Sequence, residues 1–258
     1  MKTLSIIIPV FNEEKRLNKT FKALSKGFNF NGVKLEKIIF VDDGSVDKTI
    51  KKIKNQKLKL ENSIETKVEI YSYKPNKGKG YAIKVGMLFS KSDYTLFFDA
   101  DIPTPISEFK KFLPFIEKGV PVIIGTRKNG EPTVVVPQPF YRQVLGRGFT
   151  LLSNLLLNTW VTDFTCGFKV FSKDAKEAIF NRSFVNGWAY DAEILFLAQK
   201  LGFEVAEKAV LWSDDHQSKV RLIKDLPQSI IDLIKIRIYY SQFTLPLSKN
   251  PVFAIQVS

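Results

Sequence analysis

Short apolar runs alternate with longer segments of helical period, and that alternation constrains the fold more than any other feature of the chain. Ser5–Val10, Lys37–Val41, Val68–Ser72, Thr95–Phe98 and Val122–Thr126 read as buried strands. Between them, Glu14–Lys26, Asp47–Asn55, Lys79–Ser90 and Ile106–Glu117 read as helices. Strand-helix alternation of this kind predicts an α/β fold, with a mostly parallel central sheet and helices on both faces. Ligands of such sheets sit beyond the carboxyl ends of the strands, near a topological switch point. The unusual residues of this sequence cluster at those ends.

The second half is less regular. Arg142–Leu157 and Tyr190–Leu201 read as helices, Lys169–Phe171 and Glu204–Leu211 as strands. From Lys224 to Tyr240 the pattern is amphipathic: Leu226, Ile230, Leu233, Ile234 and Ile238 form one stripe, with Asp232 and Lys235 opposite. The expected organisation is a main α/β domain over 1–223 and an amphipathic segment over 224–258. That segment is either a helix packed on the domain or a helix lying among lipid headgroups.

A length of 258 residues suits one α/β domain. The formal net charge of +13 favours an anionic partner: nucleic acid, acidic headgroups or a phosphorylated substrate. A nucleic-acid binder should interleave basic residues with exposed aromatics or carry a recognised module. Here the lysines are dispersed over helices, and no nucleic-acid partner is expected. The single cysteine, Cys166, excludes an intrachain disulfide and fits a reducing compartment. No apolar run approaches the roughly 18–20 residues that span a bilayer, and Leu4–Val10 leads into a motif-bearing strand rather than a cleavage site. The expected location is cytoplasmic, with any membrane contact peripheral.

The first strand ends in Pro9-Val10-Phe11-Asn12-Glu13-Glu14 and the second in Val41-Asp42-Asp43-Gly44-Ser45. Each alone reads as a strand-to-helix turn, with Asn12 or Ser45 capping the next helix. Side by side at a ligand edge, their carboxylates can accept hydrogen bonds from a nucleobase and a ribose. Asn76-Lys77-Gly78-Lys79-Gly80 precedes a helix; its glycines permit close backbone approach and the helix start favours an anion. The fourth strand runs into Phe98-Asp99-Ala100-Asp101. Two carboxylates at the end of a buried strand need a cation or hydrogen-bond donors. Asp99 and Asp101 either chelate Mg²⁺ or Mn²⁺ together with a substrate pyrophosphate or form a capped turn, which Pro103 and Pro105 also suit.

Taken in this order, the motifs resemble the family-2 inverting glycosyltransferases of the GT-A fold. Phe98-Asp99-Ala100-Asp101-Ile102-Pro103-Thr104-Pro105 is similar to the D-A-D segment of dolichyl-phosphate glucosyltransferases. Further matches are Gly125-Thr126-Arg127, Asp163 to Lys169, Gly187-Trp188 with Asp191 and Glu193, and Ser218-Lys219-Val220-Arg221. The set points to the polyprenyl-phosphate sugar transferase branch, which includes glucosyl and mannosyl enzymes.

The resemblance implies a nucleotide-sugar donor, UDP-glucose or GDP-mannose, and a polyprenyl or dolichyl phosphate acceptor. Transfer to a saccharide hydroxyl is the other enzymatic reading. Pro9, Glu13, Asp42, Asp43, Asn76, Gly78 and Lys79 would serve the nucleotide, Asp99 the ribose or sugar side, and Asp101 the metal. A phosphate acceptor is already anionic and needs cations more than a base; Arg127, Arg142, Lys169, Lys219 and Arg221 are the candidates. Asp191 would bind donor-sugar hydroxyls, or act as general base toward a saccharide hydroxyl. Trp188 either stacks on the pyranose or packs in the core. His216 reads as a loop residue and Cys166 as a small packed side chain.

Overall fold

The computed structural model describes residues 1–26, 30–127, 134–214 and 222–242. In chain order the first half runs β1 (Lys2–Val10), α1 (Leu17–Leu24), β2 (Val33–Asp42), α2 (Thr49–Ile64), β3 (Lys67–Ser72), α3 (Lys79–Phe89) and β4 (Tyr94–Phe98). A 3-10 segment, Ile106–Phe112, leads into α4 (Leu113–Glu117) and β5 (Val122–Thr126). The second half comprises β6 (Val134–Val136), α5 (Phe140–Leu157), β7 (Phe168–Ser172), α6 (Lys173–Phe180), α7 (Tyr190–Lys200), β8 (Val205–Ala209), β9 (Trp212–Ser213) and α8 (Leu222–Ser241).

The main sheet has seven strands in the order β3-β2-β1-β4-β7-β5-β8. All neighbours are parallel except β7, which runs antiparallel between β4 and β5. The chain winds outward from β1 to β3 and then returns to β1's other side as β4. The switch point therefore lies between β1 and β4, where the first acidic loop and the D-x-D turn both emerge.

One face of the sheet packs Phe40, Phe98 and Phe168 under α1, α2 and the 3-10 segment, with Phe21, Ile53, Phe109 and Phe112 filling the layer. The other face packs Ile7, Phe97 and Phe171 under α3, α6 and α7, with Phe180, Tyr190 and Leu195. Inward side chains thus alternate along each central strand, and both faces are dry.

Four expectations need correction. Ile106–Glu117 is not one helix: Pro114 has no N–H to give and its ring crowds the preceding turn, so a 3-10 segment ends and α4 begins there. The helix expected over Asp47–Asn55 continues to Ile64. The stripe expected on α8 is divided. Ser229, Leu233, Ile236 and Tyr240 are buried on the rest of the domain, whereas Ile231, Ile234 and Ile238 are exposed. The helix also starts at Leu222, so the expected boundary at 223/224 falls inside it. Helix α6, capped where Ser172 accepts from the Ala175 N–H, and the short pair β6-β9 were outside the sequence reading.

Helix α3 approaches the sheet closely because Gly86 faces Ile7 and Val41 without a side chain of its own. A β-carbon there would run into Ile7 Cγ2. Gly86→Ala should therefore destabilise the protein by about 1–3 kcal/mol through overpacking, and thermal unfolding followed by circular dichroism reads this as a lowered midpoint. An unchanged midpoint would show that α3 can shift outward freely.

Candidate active site

The first two acidic loops are stitched to one another rather than capping their own helices. Asn12, held at φ 52°, accepts from the Val46 N–H at 2.9 Å and the Asp47 N–H at 3.4 Å. Ser45 Oγ in turn accepts from the Asn12 N–H at 2.9 Å. The loop after β1 and the loop after β2 thereby form one rigid wall. Pro9 lies buried in β1 just behind it.

Asp42 and Asp43 share that wall but do different work. Asp42 is buried, accepting from the Ser72 hydroxyl at 2.9 Å and the Ser45 N–H at 3.2 Å. Asp43 organises the glycine loop: it accepts from the Lys77 N–H at 2.7 Å, the Gly78 N–H at 2.9 Å and Asn76 Nδ2 at 2.7 Å. Burial pushes the Asp43 carboxyl above its ordinary range, and these bonds offset part of that rise. On the loop's far side the Asn186 carbonyl accepts from the Gly80 N–H at 2.9 Å. It also occupies the space where a β-carbon of Gly78, at φ 105°, would sit.

The D-x-D turn emerges beside this loop. Lys79 Nζ lies 2.6 Å from Asp99 Oδ1, an oxygen that receives no aligned hydrogen bond. The same ammonium sits 5.6 Å from the Trp188 ring and 5.8 Å from the Tyr190 ring. Burial alone would lower the Lys79 pKa; Asp99 and then Asp191 outweigh it, and the net shift is upward. Arg16 grips both oxygens of Glu13, at 2.6 and 2.5 Å, and reaches Asp101 Oδ2 at 3.2 Å. Burial and neighbouring Asp99 push the Asp101 carboxyl up to about 6. Ile102, a β-branched residue, is held at φ 49° by the turn, with its N–H on the Asp99 carbonyl at 2.9 Å. Strain of this kind concentrates at functional sites.

The donor set fits a hard divalent cation. Gly167 contributes to that fit, because a β-carbon on it would collide with the Asp99 carboxylate. Among the described residues no cluster of three or more acidic, histidine or cysteine side chains surrounds the turn. An ion there would complete its shell with water and a ligand's oxygens, as Mg²⁺ prefers.

The cations expected to receive an acceptor phosphate are placed differently from one another. Arg127 is held by Asp163 in a two-point pair, Nε to Oδ2 at 2.7 Å and Nη2 to Oδ1 at 2.8 Å. Its guanidinium carbon lies 5.0 Å from the Trp212 ring. Burial works against its charge, but Asp163 raises its pKa further still. Arg142 stands in the first turn of α5 with a buried, unpartnered Nε. Lys169 contradicts its expected role as a phosphate cation. It is fully buried, and all three ammonium protons are used: on the Phe164 carbonyl at 2.8 Å, the Cys166 carbonyl at 2.7 Å and Asp191 Oδ1 at 2.5 Å. A lone residue in a strand reads as a surface charge only when its neighbours are unknown. Lys219, Arg221 and His216 lie outside the described residues.

Asp191 is buried at the start of α7 near Lys79 and Asp99. Burial lifts its pKa, with Lys169 and Lys79 opposing. Trp188 is half-buried beside it and faces Lys79. Glu193 is structural: it accepts from the N–H groups of Phe184 and Val185, both at 2.9 Å, and lies 3.0 Å from the Tyr240 hydroxyl of α8. Sequence reasoning missed Arg16, whose signal was its i+3 spacing from Glu13, and the room that Gly167 leaves for Asp99.

Comparison with known proteins bears on this geometry. The profile of "Glycosyl transferase family 2" matches residues 5–180. A Dictyostelium discoideum dolichyl-phosphate beta-glucosyltransferase is 33% identical over 246 residues, covering 92% of this chain and 74% of that protein. A Homo sapiens protein of the same description is 31% identical over 253 residues, covering 93% and 76%. Among solved structures, Mycobacterium tuberculosis glucosyl-3-phosphoglycerate synthase bound to Mn²⁺, UDP and phosphoglyceric acid superposes with a TM-score of 0.59. It is 18% identical, and the match covers 96% of this chain and 80% of that one.

Two outcomes follow from the D-x-D turn. Gly167→Ala should displace the Asp99 carboxylate and weaken Mn²⁺ binding in the presence of UDP at least about tenfold by calorimetry, the loss of one charged ligand contact. Retained affinity would mean that the carboxylate takes no part. A proton competes with the ion for Asp101, whose folded pKa is raised to about 6. Mn²⁺ affinity should therefore fall as pH drops below about 6 and level off above it.

Proposed function

The chain belongs to glycosyl transferase family 2, and on that premise we propose that it transfers a glucosyl group from UDP-glucose to a polyprenyl phosphate at a membrane surface. The observation that carries this reading is the shared edge where the nucleotide loops, the D-x-D turn and Asp191 converge around Lys79. The relatives at about 30% identity over most of the chain support the donor sugar and the lipid phosphate class.

In this reading the wall formed by Asn12 and Ser45 and the loop held by Asp43 seat the uridine, and Lys79 faces the diphosphate. Asp101, with Asp99 beside it, would hold Mg²⁺ or Mn²⁺, which when bound offsets charge on the departing diphosphate. Asp191 and Trp188 orient the hexose. An acceptor phosphate oxygen attacks the anomeric carbon on the face opposite UDP. The new C–O bond forms as the bond to UDP breaks, and the electron pair leaves with the nucleotide. One displacement inverts the anomeric centre and gives a β-linked product. Two anions must be brought together, so positive charge near the acceptor matters more than a base. Arg127 and Arg142 supply it; Lys219 and Arg221, candidates from the sequence, lie outside the described residues.

The membrane surface is supported by the outer faces of α5 and α8, which pack against each other. Phe140, Val144, Leu151 and Leu155 are exposed along α5; Ile231, Ile234 and Ile238 are exposed along α8. Trp160 and Tyr239 join them. Helix α5 holds Arg142 and Arg147 and no acidic residue. Apolar stripes rimmed by arginine and aromatic side chains suit a bilayer interface with anionic lipids. No described helix is long and apolar enough to cross the membrane. We place the protein on the cytoplasmic side, since its single cysteine, Cys166, is free and fits a reducing compartment.

Incubation with Mn²⁺, a short polyprenyl phosphate and either UDP-[¹⁴C]glucose or GDP-[¹⁴C]mannose tests the chemistry. Glucose should move to the lipid and mannose should not; no transfer from either donor would remove the reading. Leu151→Ser/Ile234→Ser should lower flotation with anionic vesicles several-fold, since each buried apolar side chain contributes about 1.5–3 kcal/mol, while transfer to a detergent-solubilised acceptor persists.

A further inference from the structure

Lys169 is a buried cation with no free proton, near the start of β7 at the carboxyl edge of the parallel strands. Its ammonium joins three things that otherwise have no common support. Two of its bonds close the turn before β7 through the carbonyls of Phe164 and Cys166. The third holds Asp191 Oδ1 at 2.5 Å. That turn carries Asp163, which grips Arg127, and Gly167, which leaves room for Asp99. With Oδ1 committed to Lys169, Oδ2 is the Asp191 oxygen left for a ligand.

We infer that Lys169 is a positioning residue: it fixes the Asp191 carboxylate so that its second oxygen accepts from a hydroxyl of the donor hexose. The inference rests on the reading of the site as a nucleotide-sugar pocket. An aspartate at the start of a helix has several rotamers, and a buried one without a partner would turn toward Lys79, the other cation beside it. Lys169 holds Asp191 back, so that Lys79 stays with Asp99. Because the ammonium touches no ligand, its effect reaches the donor only through Asp191 and should be confined to the sugar half. The nucleotide half is built from loops that Lys169 does not contact.

The test compares UDP with UDP-glucose by calorimetry, with Mn²⁺ present, in the wild type, Asp191→Asn, Lys169→Met and the double variant. Lys169→Met should weaken UDP-glucose about tenfold, the effect of losing one charge-assisted hydrogen bond, and leave UDP within about twofold. Asp191→Asn should do the same. In the double variant the ratio of the two affinities should match that of Asp191→Asn alone, because the two residues act as a unit. Lys169→Met by itself leaves a buried unpaired carboxylate and can fail to fold. The double variant removes both charges and should recover the thermal midpoint without recovering sugar binding, so the comparison with Asp191→Asn still decides.

Equal weakening of UDP and UDP-glucose would make Lys169 a general support and overturn the inference. So would a wild-type ratio in Lys169→Met, or a double variant whose ratio departs more than about threefold from Asp191→Asn, beyond the scatter of additive effects. Failure of the wild type to bind either ligand would instead remove the functional reading on which the inference stands.

Discussion

Carboxylates of like charge crowd the carboxyl edge of this sheet, and the architecture depends on the cations placed among them. Glu13 and Asp101 share Arg16, Asp99 faces Lys79, Asp191 is tied to Lys169, and Asp163 locks Arg127. Without the cations, so much buried like charge would be costly to hold together. With them, the edge gathers several carboxylates within a small volume, each beside an opposite charge. Each acid is also steered by its partner, so the same pairs that make the charge tolerable define the direction of every free oxygen.

That arrangement explains why the two halves of the site were unequally readable in the sequence. The first half comes from strand ends separated by single helices, and apolar periodicity located Asp42, Asp43, Asp99 and Asp101 without knowledge of contacts. The five parallel strands of that half lie where the apolar runs put them, differing only by a residue or a few at their ends. The second half depends on who meets whom across the antiparallel strand β7. Nothing in the spacing of Asp163, Lys169 and Asp191 announces that one lysine will be buried against the last of them. Its family-matched position suggested a phosphate cation; desolvation and three acceptors made it a tie.

Helix α8 shows a similar limit. Its apolar residues outnumber those that one face can hold, and a helical wheel merges them into a single broad stripe. Packing divides them: Leu233, Ile236 and Tyr240 enter the core with α7, and Ile231, Ile234 and Ile238 remain outside with the exposed row of α5. The inner set is anchored by the Tyr240 hydroxyl beside Glu193, the acid that also holds the segment leading to Asn186 and the glycine loop. Outer surface and glycine loop are thus joined by a short run of hydrogen bonds.

Strand β7 runs against its neighbours, so its beginning, rather than its end, arrives at the reactive edge. Everything between β5 and β7 therefore leaves that edge and comes back to it, like an excursion from a fixed harbour. The middle of that stretch, α5 included, can lengthen, shorten or change its chemistry while its two ends stay fixed, Arg127 on Asp163 and Gly167 against Asp99. Lineages built on this scaffold would be free to exchange that middle portion, retaining one leaving group while trying new recipients for the sugar.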